Sequence, residues 1–254
     1  MALLDIRNYN LEILTISIIP MNNQTQKNLL NIVKRNYEEI AEHYNETRKK
    51  HLEPLWSELI KYARQAKTGS RILDIGCGNG RLIEAFKGKN INYLGIDSNQ
   101  KLLENAKKQK PGFEFKLGNI LELGDIPEVN FDYVFCIAVL HHIPGKDLRI
   151  KALRQLKNKV NNEGKIIITV WNLWGQKKFR KLILRFALLK LIKKNQMDIG
   201  DILFDWKNSA GEIVSRRYYH AFTKYQLKKI AKKAGLKIEK IYKDKYNYYI
   251  ILKK

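Results

Sequence analysis

The stretch Ile72-Leu73-Asp74-Ile75-Gly76-Cys77-Gly78-Asn79-Gly80 decides the fold. Its first half is an apolar run of the length of a buried strand, and its second half is a glycine-rich turn that leads into a helix. Gly76 and Gly78 let the backbone turn tightly and let a ligand approach with no Cβ in the way, while Gly80 permits close packing where the helix starts. A helix N-terminus at that place attracts negative charge. Asp74 is expected to brace the loop through backbone hydrogen bonds rather than to do chemistry.

Working outward, Asp97 closes the run Tyr93-Leu94-Gly95-Ile96-Asp97 and is followed by Ser98. This is where such folds place an acid that accepts hydrogen bonds from both hydroxyls of a ribose. Dinucleotide-binding proteins carry GxGxxG, whereas Asp74-Ile75-Gly76-Cys77-Gly78-Asn79-Gly80 resembles the first motif of class I methyltransferases. The resemblance implies S-adenosylmethionine as cofactor, with its methionine carboxylate near the glycine loop and its ribose on Asp97. Gly118-Asn119-Ile120 stands where that superfamily has an acid reading the adenine amino group; Asn119 is read as accepting that hydrogen bond through its side-chain carbonyl. Ile137 and Ala138 end a further strand at the carboxyl edge, where open α/β sheets bind ligands. His141 is expected to line the site, and His142 stays open between the site and a polar loop.

Short β-branched runs at 71–75, 91–96, 113–117, 131–137 and 165–170 alternate with helical segments, which implies βαβ units and a parallel sheet. Helical periodicity covers 28–49 and 54–66 ahead of this core, and 224–234 after it. Strands at 236–242 and 246–252 follow as a hairpin. The expected fold is α/β: a doubly wound, mostly parallel seven-stranded sheet with an antiparallel terminal hairpin. One domain is expected over 28–254, with N-terminal helices at 28–67 and a basic insert at 172–222. Residues 1–27 read as an extension, of which 1–20, ahead of Met21, are expected to add nothing to the fold.

The chain has 254 residues, 44% of them hydrophobic and 29% charged, as expected of one globular core. The net charge of +23, from 48 Lys and Arg against 25 Asp and Glu, suits a polyanionic partner or reflects a lysine-rich genome bias. Two cysteines, Cys77 and Cys136, make neither a disulfide framework nor a metal set, so no metal site is expected and a reducing, cytoplasmic setting fits. The apolar segment 11–19 is far shorter than the ~20 residues of a spanning helix, and no membrane insertion is expected.

Four features beyond the glycine loop resemble the tRNA wobble-uridine carboxymethyl-methyltransferases, whose eukaryotic members include the methyltransferase domain of an AlkB-type homologue. They are YEEIAEHYNETR (37–48), IAVLHHI (137–143) followed by Arg149 and Ala152-Leu153, the Gly200-Asp201 and Trp206 of GDILFDW, and RYYHAF (217–222). The chain departs from that pattern at Leu52-Glu53, at Asp205 and at Asn119. The resemblance implies methyl transfer to the carboxylate of a carboxymethyl group on the wobble uridine of tRNA. It also implies a small zinc-ribbon activator as a partner of some members. By the same resemblance Arg48 reaches over the cofactor to its carboxylate, a role suited to a planar guanidinium. Tyr44, one helical turn earlier, closes the lid or packs in the core.

A carboxylate of pKa ~4 is ionised at neutral pH and attacks a sulfonium methyl without a general base. Geometry and exclusion of water then supply the catalysis. Asp201, Trp206, Arg217, Tyr218, Tyr219 and His220 fall in the insert on the carboxyl side of the sheet, where aromatics can stack on a splayed base and cations meet phosphates. The run 176–195 has no acid and interleaves Lys177, Lys178, Arg180, Lys181, Arg185, Lys190, Lys193 and Lys194 with leucines. Such a basic amphipathic helix tracks a tRNA backbone or lies on an anionic membrane, and the neighbouring RYYH group favours tRNA. Two rival readings are a small-molecule methyltransferase acting on a quinone or lipid precursor, and a non-enzymatic binding module of the same fold.

Overall fold

The structure is a computed structural model that describes residues 20–47, 55–207 and 212–254. Strands β1 (Arg71–Ile75), β2 (Asn92–Asp97), β3 (Glu114–Leu117), β4 (Phe131–Ile137) and β5 (Val160–Trp171) pair in parallel, β2 and β4 flanking β1. The chain then reverses: β9 (Asn247–Lys253) pairs antiparallel with β5, and β8 (Lys237–Lys243) pairs antiparallel with β9. The resulting sheet has the order β3-β2-β1-β4-β5-β9-β8, and its seven strands, mostly parallel with an antiparallel terminal hairpin, are those the sequence predicts. Strand order changes direction on either side of β1, and the crevice at that switch point is where such sheets bind ligands.

Period-two alternation sends the two faces of each strand into separate cores. Leu73, Ile75, Val134, Cys136, Ile166 and Ile168 meet helices α4 (Lys146–Lys159) and α6 (Lys224–Lys233) through Ala152, Leu153, Leu156, Leu227 and Ile230. Ile72, Phe135 and Ile167 face the other way, toward Leu55, Leu59 and Ala63 of α2 (Leu55–Gln65) and toward Leu103 and Ala106 of α3 (Gln100–Gln109). Local signals fix the helix starts: Asn99 accepts from the Leu102 N–H at 3.0 Å, and Thr223 with Gln226 forms a capping box.

The segment after the glycine loop is a short 3-10 helix, Arg81–Phe86, rather than the expected α-helix. At the N-terminus, α1 (Asn23–Thr47) starts before residue 28, and Met21 is buried with Leu29, Met197 and Tyr218. Residues 21–27 therefore belong to the packed fold, while 1–19 lie outside the described residues. The basic insert is helix α5 (Lys177–Leu191) followed by a separate two-stranded sheet, β6 (Asp201–Lys207) and β7 (Ile213–His220). Ile202 and Tyr219 of this hairpin pack with Phe179 and Ile183 of α5, and Tyr218 packs with Leu29 of α1, so the hairpin is a scaffold between two helices.

Candidate active site

The carboxyl ends of β1, β2, β3 and β4 surround a cavity of about 920 Å³, roofed by Leu30, Lys34 and Tyr37 of α1. Gly76, Gly78, Asp97, Ser98, Asn119, Ile120, Ile137 and Ala138 all line it, so eight residues named from the sequence converge on one volume. That volume lies within the range of about 300–1,000 Å³ typical of small-molecule sites.

The glycine loop is held against its neighbours by close packing and by its own amides. Gly76 has φ +73°, and a Cβ there would come within 2.2 Å of Val139 Cγ2. The N–H groups of Gly76 and Cys77 donate to Ile96 O, that of Gly78 donates to Asp97 Oδ2 at 2.8 Å, and that of Gly80 donates to Cys77 O. These amides are therefore occupied by the fold, and with a 3-10 helix following there is little of the helix-end attraction expected for an anion. Arg81, which also lines the cavity, supplies a cation at this end. Gly80 does not line the cavity; it packs close to Phe115, whose ring a Cβ would meet at 3.0 Å. Asp74 lies buried behind the loop and is braced by the Tyr93 hydroxyl, which donates to it at 2.8 Å, instead of by backbone amides. Burial pushes its carboxyl up to about 7, with the charge of Asp97 adding to the rise and the Tyr93 hydrogen bond opposing it.

Asp97 accepts from Gly78 N–H through one oxygen and from Asn99 N–H through the other, both at 2.8 Å. Burial raises its pKa and these backbone donors hold it back. Each carboxylate oxygen keeps a lone pair for a further donor, which fits a ribose diol. Asn119 accepts from Leu121 N–H at 3.0 Å, so the side-chain carbonyl assigned to an adenine amino group already has one donor. Ala138 holds φ +58°, a left-handed conformation unusual for a residue with a Cβ, fixed by hydrogen bonds from its N–H to the carbonyl and hydroxyl of Thr169.

Of the two histidines, the cavity exposes the second. His142 lines it, and its Nε2 lies 3.0 Å from the hydroxyl of Tyr37, which also lines it. Desolvation holds the His142 pKa down to about 3, so the ring is neutral. His141 is fully buried against His142, Trp171 and Tyr219, and neither of its ring nitrogens has a hydrogen-bond partner. The expectation that His141 lines the site is corrected accordingly: adjacent positions on a 3-10 turn point in different directions, and the turn spends His141 on the core.

Asp201, Tyr218 and His220 are also buried away from the cavity, in a network built on Arg149. Arg149 Nη2 donates to Asp201 Oδ1 and to the Tyr218 hydroxyl, both at 3.0 Å, and its Nε donates to Ile143 O. The Tyr218 hydroxyl and His220 Nδ1 add further donors to the same Asp201 oxygen, at 2.8 and 2.6 Å. Arg149 already supplies the countercharge to Asp201, and burial with the nearby guanidinium holds His220 neutral. These three residues clamp the hairpin to α4 instead of meeting a ligand. Trp206 and Arg217 stand further along the hairpin, the guanidinium 4.2 Å from the indole centroid and its Nη1 3.5 Å from the Tyr219 hydroxyl. Arg48 and the side chain of Tyr44 lie outside the described residues.

Trp171 and Asn247 carry no signal in the sequence. Trp171 ends β5 and pairs in register with Asn247 of β9, and both line the far wall together with Lys178. The Trp171 ring continues into an aromatic strip, 4.9 Å from Tyr219, which is in turn 5.3 Å from Phe204. No group of three or more metal-ligating side chains occurs among the described residues, and no helix among them is long and apolar enough to cross a membrane.

A family described as a methyltransferase domain matches residues 44–241. The chain is 28% identical over 225 residues to a tRNA (carboxymethyluridine(34)-5-O)-methyltransferase of Schizosaccharomyces pombe, covering 86% of this chain and 94% of that protein. It is 29% identical over 151 residues to the protein of the same name from Saccharomyces cerevisiae, covering 59% of this chain and 52% of the relative. Among solved structures, a SAM-dependent methyltransferase from Methanosarcina mazei superposes with a TM-score of 0.62 at 20% identity, over 81% of this chain and 99% of that one. That likeness is one of fold.

Proposed function

The chain belongs to the methyltransferase-domain family, and on that premise we propose that it transfers a methyl group from S-adenosylmethionine to the carboxylate of a 5-carboxymethyl group on the wobble uridine of tRNA. S-adenosylmethionine supplies an electrophilic sulfonium methyl; the protein supplies position. Of the residues lining the cavity, Asp97 would hold the ribose, Asn119 and Ile120 would border the adenine, and Arg81 would pair with the methionine carboxylate. With the donor bound, a substrate carboxylate oxygen would take the methyl carbon as the carbon–sulfur bond's electron pair returns to sulfur, leaving a neutral methyl ester.

The observation that carries this reading is the state of His142. It is the histidine that faces the cavity, its Nε2 is engaged by the Tyr37 hydroxyl at 3.0 Å, and burial that holds its pKa down to about 3 makes it a poor acceptor for a substrate proton. A hydroxyl or amine nucleophile would ask for that proton to be taken; a carboxylate, of pKa ~4, arrives without it. The Trp171 ring at the cavity wall, backed by the buried Tyr219, offers stacking surface for a splayed base, and Lys34 and Lys178 at the same wall suit the adjoining phosphates. The names of the fungal relatives support the same substrate class. A small zinc-ribbon activator belongs to this reading too, and β3 and β8 are the open edges of the sheet for it to cover.

Transfer of labelled methyl groups to tRNA bearing 5-carboxymethyluridine, against the same tRNA lacking the carboxymethyl group, tests the assignment. Label is expected in the first and not the second, released by mild alkali as an ester requires. Label in small carboxylic acids with none in either tRNA would replace this reading with a small-molecule methyltransferase.

A further inference from the structure

Helix α5 is fixed to the fold by one face and carries an unusual surface on the other. Phe179 and Ile183 are buried with Leu173, Ile202 and Tyr219, so the helix cannot roll. On the opposite side Leu184, Leu188 and Ile192 are 60%, 58% and 50% exposed. Successive residues of an α-helix turn by about 100°, which puts these three on one arc, roughly 100° wide, with Lys177, Lys181 and Arg185. All three cations are exposed, and no acidic residue occurs anywhere in 176–195.

We propose that this face is an in-plane docking surface for an anionic lipid bilayer. A tRNA backbone would pair with the cations and leave the three aliphatic side chains in water, since phosphates and sugars offer them nothing to bury against. A bilayer interface takes both: the alkyl groups enter the boundary between headgroups and acyl chains, and the ammonium and guanidinium groups meet lipid phosphates. A second copy of this chain is disfavoured because like charges would face each other across the contact. The sequence alone favoured tRNA for this helix; the structure changes the balance because it shows which leucines the core takes and which it leaves outside. Lys178 and Phe179, in the first turn of α5, also line the cavity, so docking brings the cavity close to the membrane plane. The proposal is independent of the substrate assigned above.

Flotation of the full chain with vesicles at physiological salt tests it. The protein is expected to float with vesicles of phosphatidylcholine mixed with phosphatidylglycerol and to stay behind with phosphatidylcholine alone. Leu184→Ser/Leu188→Ser/Ile192→Ser is expected to weaken flotation by at least about tenfold, as loss of buried alkyl area requires, with tRNA affinity unchanged. Lys177→Gln/Lys181→Gln/Arg185→Gln should weaken it as well. Thermal melting checks that the variants fold, and Leu188→Asp alone serves if the triple serine variant does not. Absence of wild-type flotation on the mixed vesicles, or equal flotation of the leucine variants, overturns the proposal. A parallel loss of tRNA affinity in the leucine variants overturns it in favour of an RNA contact.

Discussion

The hydroxyl of Tyr37 and Nε2 of His142 share a hydrogen bond of 3.0 Å, tying helix α1 to the turn after β4 at the wall of the cavity. Desolvation holds the ring neutral, with its pKa down to about 3. Methyl transfer should therefore show no histidine inflection in kcat between about pH 6 and 8. A pH–rate profile in tRNA-saturated conditions checks this, and an inflection near 6.5 that disappears in His142→Gln would assign the ring a proton-transfer role and contradict the mechanism.

Among the described residues Arg149 is the one cation that pairs with both Asp201 and Asp198, at 3.0 and 3.3 Å. Removing it strands a carboxylate that is fully buried, and loss of one partner of such a pair costs about 3–5 kcal/mol. Arg149→Met should lower the unfolding free energy by roughly that amount, and Arg149→Met/Asp201→Leu should recover a large part of it. Denaturant unfolding measures both; a double variant as unstable as the single one would show that the network holds the hairpin by shape rather than charge.

His141 makes a prediction of opposite sign. Its pKa is lowered well below the ordinary value by burial, so the folded protein keeps the ring neutral while the unfolded chain protonates it below about 6.5. The stability this group contributes is present above that pH and is lost as pH falls, by about 1.4 kcal/mol for each unit. Asp74, raised to about 7, works the other way in the same range, losing stability as pH rises, and offsets part of the histidine contribution. His141→Leu should match or exceed the wild type in stability near pH 7.5, with its advantage growing toward pH 5. Unfolding curves at three pH values decide it, and a constant deficit across them would contradict the burial argument.

Arg217 stacks on Trp206 and is not among the residues that line the cavity. Arg217→Ala is expected to leave S-adenosylmethionine affinity within about twofold and to raise the KM for tRNA by about tenfold, roughly 1.4 kcal/mol. Steady-state kinetics with tRNA, alongside donor titrations, separates the two; unchanged tRNA kinetics would remove Arg217 from the substrate site.

How much of this was legible in the sequence follows from how local each signal is. The strand, glycine loop and Asp97 could be read because glycine spacing and a strand-terminal acid act within a few residues of themselves, and the structure brings them to one cavity. Trp171 and Asn247 could not, because they meet through a register between β5 and β9, strands distant in sequence. The RYYH group looked like a substrate platform, yet the two-residue period of β7 sends Tyr218 and His220 into the Arg149 network and leaves Arg217 and Tyr219 on the other face. The sequence favours His141 over His142 for the site, and the 3-10 turn reverses that order. The glycine loop's amides point to a subtler gap, since four of them are consumed by the fold itself and the cation Arg81 stands where a helix end was expected to act.

The claim on which the account depends is that the cavity at the ends of β1 and β2 holds S-adenosylmethionine with its ribose on Asp97. Isothermal calorimetry of the folded protein with S-adenosylmethionine tests it most directly. One binding site is predicted for the wild type, with affinity at least about tenfold weaker in Asp97→Ala, a loss of about 1.4 kcal/mol or more. No heat of binding from a folded sample, or equal affinity in the variant, would contradict it.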